Sequence, residues 1–189
     1  MKEKNPVQAV QAIRDKASPK KTFSGYSYSH AVNIIALTLM WEAENQGKKG
    51  IDMVASVLLN RCKGDVSKLP LACLKSAYSS KAGRYIWQFS CWDETSIHRI
   101  KRSTQTPQNY RIFLPRQVRN GNKASIKMWN YCNEVAVKLC NGEFKPITTA
   151  TEYFNYKLVS PKWKDKLKDT IKVGDHMFGS LGKNHAPYV

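Results

Sequence analysis

The chain has 189 residues, 42% hydrophobic and 24% charged, an ordinary globular composition. A chain this long can bury roughly 70% of the surface it exposes when unfolded, so a core needs neither disulfides nor a metal. The charge is less ordinary: 31 Lys+Arg against 14 Asp+Glu leave a net +17. Such a balance favours polyanionic partners: nucleic acid, an anionic membrane face or an acidic wall polymer.

One domain is expected, with residues 1–28 as a helix and linker ahead of a main unit at 29–189. Residues 1–21 are polar and charged and do not resemble a signal peptide. Within them, Pro6 suits the first turn of a short helix over 6–17, with Val7, Val10 and Ile13 as its apolar stripe. A linker-like stretch follows, and Ser29 is a candidate cap for the next helix. That helix, about 30–45, is apolar on nearly every side through Trp41, which predicts the buried centre of the domain. The apolar run at 31–41 is too short to span a bilayer. Gly47 and Gly50 are expected to break the chain. Ile51, Val54, Ala55, Leu58 and Leu59 then recur at helical spacing through about residue 62.

A weaker helix is expected over 67–78, with long loops and short helices from 79 to 122. Residues 123–140 form an amphipathic helix through Ala124, Met128, Tyr131, Cys132, Val135 and Leu139. The segments "TTATEYFNYKLV" and "TIKVGDHMFGS" are rich in β-branched and aromatic residues and predict two or three short strands. The fold expected is mainly α with a small C-terminal antiparallel sheet.

The five cysteines (Cys62, Cys73, Cys91, Cys132, Cys140) contain no C-x-x-C pair, and no His lies at ligand spacing. Neither zinc nor another cofactor is expected, and the thiols are read as reduced, in a protein made in a reducing compartment. No acidic residue lies between Glu94 and Glu134, whereas Arg99, Lys101, Arg102, Arg111, Arg116, Arg119, Lys123 and Lys127 do. Residues 157–172 add six lysines against Asp165 and Asp169. Either stretch is a solvated basic surface or a polyanion-binding face.

Glu42 is the residue that could carry chemistry. It follows Trp41 and a run without ionisable groups, at the end of the most apolar helix. Desolvation there is expected to disfavour the carboxylate and raise the pKa, as a general acid requires. The simpler alternative is a glutamate placed where the helix surfaces. Glu44 falls on roughly the opposite side, Asp52 is expected in the first turn of its helix, and Asp93 or Glu94 could approach from a loop. One acid without an assured second suits chemistry that needs a single acid/base group, whereas ordinary retaining and inverting glycosidases use two.

"WEAENQGKKGIDMVASVLLNR" (41–61) resembles the opening of the SleB-type cell-wall hydrolase family, the spore-cortex-lytic enzymes and their phage relatives. The matching positions are Glu42, Gly50, Asn60 and Arg61. "WQFSCWDE" (87–94), "ATEYFNYKLVSPKW" (150–163) and "VGDHMFG" (173–179) resemble three later landmarks in the same order. The resemblance covers about 31–180. It implies a lysozyme-like, lytic-transglycosylase-like fold acting on peptidoglycan glycan strands, with Glu42 as sole acid/base and 1,6-anhydro-muramoyl products. Where the family often has a second glutamate, this chain has Gln46, which cannot ionise. The resemblance and residue types make Gln46, Gln88, Ser90, Tyr153, Asn155 and His176 candidate substrate contacts, with Tyr153 or Trp92 able to stack on a sugar ring. His176 is equally well read as a core histidine of the small sheet. Asn60 and Arg61 are expected to buttress the second helix against the one bearing Glu42.

The resemblance implies a phage lysin: a monomer needing no protein partner, made in the host cytoplasm, attracted to the anionic envelope and acting on the wall after release. Competing readings are a hydrolytic muramidase, a nucleic-acid-binding protein, a wall-binding module without activity, and a stem-peptide amidase. No helix-turn-helix or zinc finger supports the second, and no zinc site supports the last.

Overall fold

The computed structural model describes residues 22–93 and 113–181. The expected helix over 6–17, Glu94 and the basic residues Arg99, Lys101, Arg102 and Arg111 lie outside them.

The central element is α1 (Tyr28–Ala43), buried from Ala31 to Met40. Its cap is Ser27, whose hydroxyl accepts from His30 N at 3.4 Å, rather than Ser29. A helix this enclosed must satisfy its polar side chains internally. Asn33 exchanges two hydrogen bonds with the Phe113 backbone, at 2.9 and 3.0 Å. Thr38 donates to Ile34 O at 2.8 Å and accepts from Trp92 Nε1 at 2.9 Å.

A 3-10 turn, Glu44–Gln46, leads into α2 (Gly47–Arg61). Gly47, at φ 68°, breaks the chain as expected, but Gly50 lies inside α2. A Cβ on Gly50 would stand 2.3 Å from the Gln46 Cβ, so close approach selects this glycine. Asp52 consequently falls beyond the first turn and accepts from Tyr131 OH at 2.9 Å, while burial pushes its carboxyl pKa up.

The expected helix over 67–78 is cut short. A 3-10 turn (Val66–Lys68) and α3 (Leu69–Cys73) give way to an antiparallel hairpin, β1 (Ser76–Ser79) and β2 (Arg84–Trp87). Ser90–Trp92 form another 3-10 turn. After a short α4 (Arg116–Arg119), α5 (Lys123–Asn141) closes on Gly142, whose φ of 77° lets its N–H reach Leu139 O at 3.0 Å. Helix α5 runs antiparallel to α1. Tyr28 OH reaches Asn141 Oδ1 (2.9 Å) at one end, and Ser125 Oγ reaches Glu44 Oε1 (2.8 Å) at the other.

The C-terminal sheet has the order β3–β5–β4, all antiparallel, from β3 (Glu152–Asn155), β4 (Lys168–Val173) and β5 (His176–Ser180). Tyr153 pairs with Phe178 and Asn155 with His176, so these four share one face. The mainly helical class with a small C-terminal sheet is as expected. The five cysteines are all buried and none forms a disulfide. Among the described residues, no helix is long and apolar enough to cross a membrane.

Leu37, fully buried on α1, provides the stability test. Leu37→Ala should lower unfolding free energy in urea by about 2–5 kcal/mol, whereas Leu71→Ala, at a site 50% exposed, should stay within about 0.5 kcal/mol of wild type.

Candidate active site

Glu42 is the penultimate residue of α1 and is half-buried. Its two carboxylate oxygens are held by segments remote in sequence. Oε1 accepts from Cys91 N at 3.0 Å, and Oε2 accepts from Tyr153 OH at 2.7 Å. Cys91 is placed by the Ser90–Trp92 turn, which Trp92 anchors to α1 through Thr38 and an edge-on contact with Trp41 at 5.4 Å. Trp92 is wholly buried. It therefore cannot be the sugar-stacking alternative to Tyr153.

Tyr153 stacks on Phe178 with centroids 5.3 Å apart and stands edge-on to His176 at 5.3 Å. Burial first, then the charge and hydrogen bond of Glu42, hold the phenol pKa well above its ordinary value. Tyr153 is thus a donor to Glu42 across the useful pH range. His176 is only 7% exposed, and its Nδ1 has no hydrogen-bond partner among the described residues. Burial lowers its pKa, against the raising influence of Glu42 and Asp175. The imidazole beside Glu42 is therefore neutral at neutral pH.

Three contacts hold the sheet in place. Arg61, at the end of α2, donates from Nε to Thr151 O (2.6 Å) and pairs through Nη2 with Glu152 (2.7 Å). Asn60 Nδ2 donates to Thr148 O (2.8 Å) and Ala150 O (2.9 Å). Both residues therefore buttress the β3 segment and not the helix bearing Glu42. Gln46 is the third: its Oε1 accepts from Asp175 N at 2.7 Å and its Nε2 donates to Asn45 at 2.8 Å. A Cβ at Gly174 would lie 1.8 Å from that oxygen. The turn between β4 and β5 thus closes directly on Gln46.

The remaining candidates lie around this core. Gln88 is half-buried, its N–H bonded to Lys75 O at 2.9 Å, and Ser90 is exposed at the start of the turn carrying Cys91. Asn155 Oδ1 accepts from Lys157 N at 3.0 Å. The structure thus gathers Glu42, Tyr153 and His176 and places Gln46 and Asn155 at the β-turns beside them. Of the other acids considered, those among the described residues are engaged elsewhere: Glu44 by Ser125, Asp52 by Tyr131, and Asp93 by an ion pair with Arg84 of β2. Among the described residues, no group of three or more His, Cys, Asp or Glu side chains is placed to hold a metal. The residue that sequence reasoning missed is Cys91. Its contribution is a backbone N–H, which no side-chain pattern signals.

With that geometry in hand, the class of protein is defined: the chain belongs to the cell wall hydrolase family, whose profile matches residues 45–179. It is accordingly an enzyme of peptidoglycan degradation. The match begins three residues after Glu42, so the case for that residue rests on its surroundings. Neither the curated proteins nor the solved structures compared with the chain gave a match.

Two expectations follow. Tyr153→Phe removes one hydrogen bond to a charged group, so activity on peptidoglycan should fall roughly 10- to 100-fold, while circular dichroism shows the chain folded. His176 contributes a pH dependence to stability. Its folded pKa lies below the ordinary 6.5, so the unfolded chain binds more protons as pH falls. Its contribution is complete above that value and is lost on descending through it toward the folded pKa. Urea unfolding from about pH 7.5 to about pH 5 should show this loss, and His176→Gln should remove that part of the slope.

Proposed function

We propose that the enzyme cleaves the bond between N-acetylmuramic acid and N-acetylglucosamine as a lytic transglycosylase, with Glu42 as its only acid/base. The observation that carries this reading is the convergence of Cys91 N–H and Tyr153 O–H on the Glu42 carboxylate. In the first step, protonated Glu42 gives its proton to the bridging oxygen, and the bond from the muramoyl anomeric carbon to that oxygen breaks. The carboxylate left behind is the form to which both donors point, so they favour proton donation. In the second step, Glu42 takes the proton of the muramoyl C6 hydroxyl as that oxygen bonds to the anomeric carbon. The 1,6-anhydro ring closes and Glu42 is again protonated. No water enters.

Two neighbours suit this sequence, the second of them against hydrolysis. The Tyr153 phenol, held protonated by burial, supports the base form of Glu42 and does not compete for its proton. Asp93, which would otherwise be a candidate to position water, is paired with Arg84. On this reading Asn155, Gln88 and Ser90 contact sugar hydroxyl and acetamido groups from the rim. Gln46 acts by holding the turn that presents His176. The net charge of +17 draws the enzyme to the anionic envelope, as suits a phage lysin.

Mass spectrometry of products from purified peptidoglycan tests the assignment. Wild type should release anhydro-muropeptides, each one water lighter than its hydrolysed counterpart, and Glu42→Gln should release none. Reducing-end muropeptides would replace the transglycosylase assignment with a muramidase. Undiminished cleavage by Glu42→Gln would remove Glu42 from the mechanism.

A further inference from the structure

We propose that the segment from Tyr156 to Lys168 is a docking surface for an anionic phospholipid bilayer. Leu158 is 78% exposed and the adjacent Val159 54% exposed. Two neighbouring aliphatic side chains turned outward in one turn are unlike the isolated apolar residues scattered over most surfaces. The turn is fixed as well as exposed. Asn155 O accepts from Leu158 N (3.2 Å) and Val159 N (3.0 Å), and Asn155 Oδ1 accepts from Lys157 N (3.0 Å). The aliphatic tip is therefore held outward before any partner arrives, which reduces the ordering cost of binding.

The chain that follows this tip is rich in cations. Lys162, Lys164, Lys166 and Lys168 are all exposed, and Asp165 is the only acid from 156 to 168. Trp163 anchors the segment by packing edge-on against Phe154 at 5.5 Å. The 3-10 turn over Lys164–Lys166 winds the lysines tightly. Lys157, by contrast, is committed to Asp175 at 2.6 Å.

The chemistry of the tip selects the partner. A glycan or a nucleic acid would be met by aromatic faces and hydrogen-bond donors; Leu158 and Val159 offer neither, and Tyr156, the exposed aromatic beside them, has Lys172 over its ring at 4.9 Å and its hydroxyl on Gly174 O. Aliphatic side chains followed closely in the chain by exposed lysines match the boundary between acyl chains and anionic headgroups. The segment begins one residue after Asn155, which pairs with His176. A docked enzyme would therefore hold the segment next to its candidate site close to the bilayer. The inference does not depend on which glycosidic product is formed.

Co-sedimentation of the full chain with extruded vesicles tests it. Wild type should bind phosphatidylcholine/phosphatidylglycerol vesicles and leave pure phosphatidylcholine vesicles nearly bare. Leu158→Ser/Val159→Ser should weaken binding to the anionic vesicles at least tenfold with circular dichroism unchanged. Each lysine changed to Ala among Lys162, Lys164 and Lys168 should weaken it about fivefold. Undiminished binding by the Leu158/Val159 variant, or equal displacement of both proteins by duplex DNA, would show a plain polycation and overturn the proposal. So would wild type that fails to sediment with anionic vesicles.

Discussion

Glu42 lies one residue from the end of a helix that is buried almost throughout, and its carboxylate is held between two donors that local structure does not bring together. Cys91 lies 49 residues away and Tyr153 lies 111. A half-buried carboxylate is held best by such partners, and supplying them ties both the Ser90–Trp92 turn and the C-terminal sheet to α1. The packing of Trp92 on Trp41 and the stack of Tyr153 on Phe178 serve the same placement.

The sheet has only three short strands, so its attachment matters as much as its register. Arg61 and Asn60 secure β3 at the end of α2, and Gln46 secures the turn between β4 and β5 at its start. The Arg61–Glu152 pair is largely enclosed. Burial pushes the Glu152 pKa up while Arg61 opposes that shift. A charge pair of this kind orients a strand more than it stabilises one. A helix that carries no catalytic candidate thus sets where Tyr153 and His176 stand relative to Glu42.

Several elements were legible from periodicity alone. The apolar run before Glu42, the repeat through Leu59 and the amphipathic helix from Lys123 formed close to the expected bounds, and of the two or three strands expected near the end three formed. The misreadings have local causes. Leu69, Leu71, Ala72 and Leu74 suggest a helix, but only Leu69–Cys73 is helical, because the chain then pairs Ser76–Ser79 with Arg84–Trp87. Cross-strand pairing of Tyr78 with Tyr85 outweighs a weak helical repeat there. Gly50 looked like a break but serves the close approach of Gln46. Trp92 looked like a ligand surface but is core.

The sequence by itself determined the helical core, the C-terminal strands and Glu42 as an acid at the end of an apolar helix. Each is written in side-chain type and local spacing, which hydrophobic burial reads directly. Only the tertiary structure decided what surrounds that acid: the Cys91 backbone donor, the Tyr153 hydroxyl, the neutral His176 and the engagement of Asp93 with Arg84. The physical reason is that a hydrogen bond between distant segments depends on how helices and sheet pack, and one of these donors is a main-chain N–H that every residue except proline possesses.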